Sequence, residues 1–189
     1  MFFTNSVLLG IGLAMDAFSV SLANGLAEPK MPKRRICGIA GVFAGFQILM
    51  PLIGWLCIHT IVEKFTAFQK FIPWIALALL GYIGGKMLIE GIRSKGENDE
   101  PTAVGFGALI VQGIATSIDA LSVGFTIAEL AWVQALTESL IIGAVTFGIC
   151  AVGVLLGKTF GTKLSGKASI LGGIILICIG LEIFISNLI

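Results

Sequence analysis

Two aspartates, Asp16 and Asp119, are the residues of this sequence whose surroundings point most clearly to chemistry. Each lies in the middle of a long apolar stretch, within the closely matching strings MDAFSVS and IDALSVG. A carboxylate at the centre of a bilayer costs about 2.5–3.5 kcal/mol on insertion scales, so both must face a protein interior or a wet cavity. Carboxylate oxygens are hard donors, and such a pair suits a divalent cation such as Mg²⁺, Ca²⁺ or Mn²⁺.

Further oxygen donors accompany the two aspartates. Side chains three or four positions away share the helical face of each aspartate, and several of them are hydroxyls. Gln47 lies in the middle of another apolar stretch, shortly before Pro51, and adds an amide oxygen. A plain hydrogen bond between helices is the alternative role for these neighbours. The predicted metal ligands are Asp16, Asp119, Ser19, Ser122, Thr116 and Gln47.

A metal ion bound between two such aspartates is expected to exchange with protons. When the ion leaves, the two carboxylates repel each other and favour the uptake of protons in its place. We therefore predict proton-coupled antiport, with the metal as transported ion and no resident cofactor. The alternative is a pair of buried, protonated acids that hold helices together by hydrogen bonds.

The composition places these aspartates in a membrane protein. Of the 189 residues 57% are hydrophobic and only 12% are charged, and the mean hydropathy is +1.02. Since a soluble domain is about one quarter charged, this chain cannot cover a globule with polar surface. A soluble enzyme and a disordered chain are excluded, and the net charge of +1 argues against a nucleic-acid partner. We expect one all-α membrane domain, residues 1–189, that is not an enzyme and has the lipid bilayer as its surroundings.

Six apolar stretches are long enough to cross the membrane, which takes about 20 residues. The loops after the first, third and fifth stretches carry nine Lys and Arg residues, and the opposite side carries two. The positive-inside rule places those three loops in the cytoplasm and both termini outside a cytoplasmic (inner) membrane. The predicted spans are residues 7–26, 36–58, 72–92, 104–128, 135–156 and 170–188.

The two aspartate strings also indicate an internal repeat. An offset of 103 residues aligns Asp16 with Asp119 and Gly54 with Gly157. The pattern predicts two three-helix repeats, residues 1–95 and 103–189. Three is an odd number, so the second repeat must be inverted relative to the first. Inverted repeats are typical of secondary transporters, whose binding site lies at the midplane where the halves meet.

Other polar residues receive weaker predictions. Glu182 falls inside the sixth span and is either a third carboxylate or a side chain that leans outward to water. Glu138 is a candidate vestibule residue, Asn24 is interpreted as a hydrogen-bonding residue at a helix end, and Gln112 is a minor ligand candidate. The four cysteines form no C-x-x-C pair and are interpreted as small buried apolar residues.

Several segments together resemble a known family. They are MDAFSVSLANG, GIATSIDALSVG, PLIGW (Pro51–Trp55), GGKMLIEGIR (Gly84–Arg93) and ILGGIILICIG (Ile170–Gly180). The sequence is similar over essentially its whole length to the MntP family of bacterial manganese efflux pumps. The resemblance implies export of manganese(II) across the inner membrane, a central role for both aspartates, and kinship with the LysE superfamily. Some family members carry glutamate in place of Gln47, so this site would hold one negative charge less.

Three rival functions remain at the level of sequence. One is an exporter of another divalent metal or of a small solute such as an amino acid, and another is a passive cation channel, whose flux would not saturate. An intramembrane aspartyl protease would need Tyr-Asp and Gly-x-Gly-Asp motifs. Here Met15 precedes Asp16 and Ile118 precedes Asp119, which argues against the protease. The favoured prediction is a secondary-active, proton-coupled exporter of manganese.

Overall fold

The computed structural model describes residues 2–60, 72–93, 104–164 and 168–186. Within these ranges the backbone forms seven α-helices and no strand, as the apolar stretches predict. The helices are α1 (Phe2–Ala27), α2 (Lys33–Thr60), α3 (Ile72–Arg93), α4 (Phe106–Ala115), α5 (Ile118–Thr126), α6 (Trp132–Leu164) and α7 (Ala168–Ser186).

Three of these helices, α1, α2 and α6, are each long and apolar enough to cross a membrane. The helices α4 and α5 together make a fourth candidate span. The helices α3 and α7 lie where the third and sixth spans are predicted. The chain is therefore an all-α membrane protein, and its described residues support three to four of the six predicted spans on length and composition.

The fourth predicted span differs from expectation because it is broken. The axes of α4 and α5 are bent by 42°. At the break, the N–H of Ser117 donates to the carbonyl of Ile114 at 3.2 Å, three residues back. The hydroxyl of Thr116 donates to the carbonyl of Gln112 at 2.9 Å. Hydroxyl bonds of this kind compete with the helical ladder and bend helices, and they satisfy backbone groups that lipid could not.

Helices from the two halves of the chain pack against one another. Helix α1 lies mainly along α6, α2 along α6 and α5, and α3 along α7. Three of these contacts bring backbone against backbone at paired glycines. A Cβ atom added to Gly124 would lie 2.7 Å from the Cα of Gly54, which no real side chain tolerates. Small residues allow this close approach in membranes. The pairs are Gly25 with Gly157, Gly54 with Gly124, and Gly84 with Gly173.

Buried side chains from α1, α2, α3, α4, α6 and α7 form the main core. Val20, Phe43 and Val154 are fully buried there. The predicted burial of all four cysteines is wrong for Cys37 and Cys178, which are exposed. A lipid-facing surface accepts small apolar side chains, so in a membrane protein an apolar residue need not be buried in protein.

The three tryptophans gather at one end of the helix bundle. The indole N–H of Trp55, near the end of α2, donates to the carbonyl of Leu130 at 3.0 Å. Its ring lies 5.3 Å from that of Trp132 at the start of α6. Trp74, at the start of α3, contacts Phe184 at 4.6 Å between ring centroids. Tryptophans concentrate at the boundary between lipid and water, so this end marks one membrane interface.

Candidate functional site

The two aspartates come from separate halves of the chain and lie near each other. Asp16 is in the middle of the continuous helix α1, whereas Asp119 is the second residue of α5, directly after the break. The two carboxylates are close enough to interact electrostatically. Asp119 Oδ1 accepts the N–H of Ala120 at 3.0 Å. The positive end of the α5 dipole therefore stabilises a negative charge in the middle of this span.

Gln47 connects the three elements around these aspartates. Its amide nitrogen donates to the carbonyl of Leu13 on α1 at 3.0 Å and to the carbonyl of Thr116 at the break at 3.3 Å. The side chain is fully buried. Its oxygen, Oε1, has no hydrogen-bond partner among the described residues. Gln47 thus makes the predicted interhelical bond with its nitrogen and keeps one oxygen available to a ligand.

The predicted hydroxyl ligands are also oriented by their own helices. Ser19 donates to the carbonyl of Met15 at 3.1 Å, and Thr116 donates to that of Gln112 at 2.9 Å. A hydroxyl that has donated its hydrogen still has lone pairs on oxygen, which is the state in which it can bind a cation. Ser122 is exposed and lies one turn after Asp119.

Ser117 is a residue of the break that the sequence prediction missed. It precedes α5 with a φ of −118°, and its buried hydroxyl has no partner among the described residues. A signal was present, because Ser followed by an acidic residue two positions later is typical of a helix start. The surrounding apolar run outweighed that signal in the prediction of one continuous span.

Glu182 takes a position between its two predicted roles. It is exposed on α7, which packs against α1, and it interacts electrostatically with Asp16. No three His, Cys, Asp or Glu side chains come together closely enough to hold a metal in the part of the chain that the structure describes. Glu182 therefore contributes negative potential near Asp16.

A polar stripe leads away from Asp119 along α5 and just beyond its end. Three of its members lie three or four residues apart on one face of α5, the fourth, Glu129, lies in the turn after that helix, and all four are exposed. Lipid disfavours such a row of polar groups, so the stripe indicates a wet surface between Asp119 and the tryptophan end. The stripe consists of Asp119, Ser122, Thr126 and Glu129.

Comparison with known proteins identifies the family. Residues 30–184 match the family described as "Putative manganese efflux pump", MntP. The chain belongs to this family. A protein of Ruminiclostridium cellulolyticum with the same description is 42% identical, over 100% of this chain and 98% of its own length. The corresponding protein MntP 2 of Clostridium botulinum strain Hall is 42% identical over 96% of this chain and 93% of its own. The MntP protein of Clostridium perfringens strain SM101 is 38% identical over the same shares.

Membership of the MntP family confirms the resemblance that the aspartate motifs indicate. No solved structure matches the chain.

Gln47→Glu should make stability depend on metal more strongly than in the wild type. The new carboxylate would face the carbonyl oxygens of Leu13 and Thr116, which lose their donor, and this should cost about 1–3 kcal/mol. A divalent ion would offset the repulsion, so Mn²⁺ should raise the melting temperature of the variant more than that of the wild type. Thermal unfolding in detergent with and without Mn²⁺ measures this.

Gln134→Glu is the matched control for the Gln47 variant, because Gln134 is exposed at the start of α6, away from both aspartates. It should behave as the wild type does. An equal Mn²⁺ response in Gln47→Glu and the wild type would show that the Gln47 side chain does not face the ion.

Proposed function

We propose that the chain exports manganese(II) from the cytoplasm as a secondary-active transporter, and that it is not an enzyme. The observation that carries the proposal is that Gln47 joins the carbonyls of Leu13 and Thr116, which brings together the helix of Asp16 and the break before Asp119. Discontinuous helices at such positions are typical of ion and substrate sites in transporters. The family description and the names of the relatives support manganese as the cargo.

The proposed site binds the ion through oxygen atoms alone. Two neighbouring carboxylates inside a membrane repel each other, and a divalent cation between them removes that cost. Neutral oxygens complete the coordination, which suits manganese, magnesium or calcium better than copper. The proposed ligands are Asp16, Asp119, Ser19, Ser122, Thr116 and Gln47.

The packing pattern supports an inverted repeat of residues 1–95 and 103–189. If α1 corresponds to α4 with α5, α2 to α6 and α3 to α7, the contact of α1 with α6 corresponds to that of α2 with α5. By the same exchange, the contact of α1 with α7 corresponds to that of α3 with α4, while the α2–α6 and α3–α7 contacts map onto themselves. The main contacts are thus unchanged when the halves are exchanged. We infer six spans, with the halves moving against each other around the site.

The charge distribution supports an orientation in the inner membrane. The basic loop after α1 lies at the end opposite the tryptophans, and we assign it to the cytoplasm, with both termini outside. The polar stripe from Asp119 then leads outward. An ion released along it leaves two carboxylates that protons neutralise, which couples export to proton entry.

Metal uptake into inverted membrane vesicles tests the function directly, because their cytoplasmic face is outward. We expect saturable uptake of Mn²⁺ that exceeds uptake of Mg²⁺, Ca²⁺ and Zn²⁺ and that is faster when the lumen is acidic. Vesicles without the protein are the control. Faster uptake of another ion would show that manganese is not the preferred cargo. Flux that does not saturate would indicate a channel. Equal rates with and without the pH gradient would exclude proton coupling.

A further inference from the structure

A buried pair of amides connects α1 to α4. The side-chain nitrogen of Asn24 donates to Gln112 Oε1 at 2.8 Å, between residues 88 positions apart in the chain. Both side chains are fully buried. The bond leaves Asn24 Oδ1 and Gln112 Nε2 without a partner among the described residues. Burial of a polar group without a hydrogen-bond partner costs free energy. The contact between the two amides is therefore weak, because one hydrogen bond is set against two unpaired groups.

The amide pair lies on the cytoplasmic side of the two aspartates in the assigned orientation. Asn24 follows Asp16 by about two helical turns along α1, and Gln112 precedes Asp119 by about two turns across the break. On the other side of the aspartates the exposed polar stripe begins. The exposed polar residues therefore lie on the outer side of the aspartates, and the closed contact between the amides lies on their cytoplasmic side.

A second contact closes the same end of the α1–α4 seam. The guanidinium of Arg35 donates to Glu28 at 2.6 Å and to the carbonyl of Val104, just before α4, at 2.7 Å. Lys158 on α6 donates to the carbonyl of Met31 at 2.7 Å. These bonds tie the loop after α1 to the starts of α2 and α4 and to α6.

The break gives α4 a way to move without α5. Helix α5 is fixed to α2 where Gly124 meets Gly54. Gln112 lies on the other side of the break, in the ten-residue helix α4. A tilt of α4 at Thr116 would part Gln112 from Asn24 and leave Asp119 in place.

We propose that Asn24 and Gln112 form the inner gate between the cytoplasm and the aspartate site. This inference rests on the proposed function, whose assigned orientation decides which side of the site faces the cytoplasm. Parting of the two amides opens the seam, and their unused groups then bind water or the entering ion. Neutral amide oxygens pass a divalent cation onward without holding it as a carboxylate would. The Arg35 contacts form a second closure nearer the cytoplasm.

Access of a thiol reagent to the site from the cytoplasmic face tests the gate without reference to cargo. Ser122→Cys provides a reporter beyond the gate, and mass spectrometry of its peptide in inverted vesicles follows labelling by a membrane-impermeant reagent. A second introduced cysteine, Lys33→Cys, exposed at the first residue of α2 and outside the predicted span, serves as internal reference. With Asn24→Ala and Gln112→Ala together, labelling at position 122 should rise about tenfold, because access follows the open fraction of the gate.

Two matched variants separate gating from damage. The exchange Asn24→Gln with Gln112→Asn keeps an amide pair and should label as slowly as the parent. Ser139→Ala, which removes another fully buried polar group on α6, should do the same. Unchanged labelling in the double-alanine variant, or an equal rise in Ser139→Ala, would overturn the gate. Increased labelling in the double-alanine variant, together with no Mn²⁺ uptake by the wild-type protein that retains Ser122, would support the gate and overturn the proposed function.

A cross-link covers the case in which the alanine variant does not fold. Asn24→Cys with Gln112→Cys, bridged by a short bis-methanethiosulfonate that forms one disulfide with each thiol and releases two sulfinates, should stop Mn²⁺ transport. Reduction of both disulfides should restore it. The wild type given the same reagent controls for the native cysteines. Full transport through the bridged protein would overturn the gate.

Discussion

Asp16→Asn and Asp119→Asn should each abolish protection of cells against excess manganese and Mn²⁺ uptake into inverted vesicles. In the proposed site, each substitution removes one of the two negative charges that hold the ion. Removal of groups that only orient metal ligands already costs about 10–100-fold in affinity or activity, so loss of a direct ligand should exceed about 100-fold. Glu129→Gln removes an exposed carboxylate at the outer end of the polar stripe and should retain transport.

The stability of these variants distinguishes a metal ligand from a structural acid. Without metal, Asn at either position replaces a carboxyl group that is either repelled by its neighbour or neutralised by a proton, so the melting temperature in detergent should stay equal or rise. The increase in melting temperature that Mn²⁺ gives the wild type should disappear. If the aspartates were instead protonated acids that join helices, the variants would melt lower and the Mn²⁺ effect would be absent in the wild type as well. Normal manganese protection by either variant would falsify the site.

Gly157→Leu should prevent assembly of the helix bundle. A Cβ at Gly157 would overlap the carbonyl oxygen of Leu22 and lie 3.0 Å from the Cα of Gly25, and both are backbone atoms that cannot rotate away. Helices α1 and α6 would have to separate along their length. Overpacking typically lowers the free energy of unfolding by about 1–3 kcal/mol, and we expect this substitution to reach or exceed the upper value. Because α1 carries Asp16, transport should be lost together with folding.

Gly148→Leu on the same helix is the control for that substitution. A Cβ at Gly148 meets no atom within 4 Å, and the residue is exposed. The yield of monodisperse protein in detergent and its melting temperature measure the difference. Equal yield and melting temperature for the two variants would show that the close approach of α1 and α6 is not required for the fold.

The sequence by itself determined the class of protein and the approximate positions of its helices, apart from the break between α4 and α5, and it singled out the two aspartates. These features follow from local physics, because long apolar runs with little charge must enter lipid, and a carboxylate within such a run must be compensated. The matching strings around Asp16 and Asp119 were sufficient to indicate the family, which the comparisons confirm. The six-span repeat and the metal ligands remain predictions that the packing supports.

Only the tertiary structure decided how the aspartates are positioned. The hydrogen bonds of Gln47 span 34 and 69 residues, and that of Asn24 spans 88. The periodicity of one helix cannot reveal such partners. It shows on which face of the helix a residue lies, but it does not show which other helix packs against that face. The break at Thr116 also depends on contacts outside its own helix, since Gln47 on α2 satisfies a backbone carbonyl there. For the same reason the sequence marked Asn24 and Gln112 as isolated polar residues, and only their meeting across α1 and α4 makes them a pair.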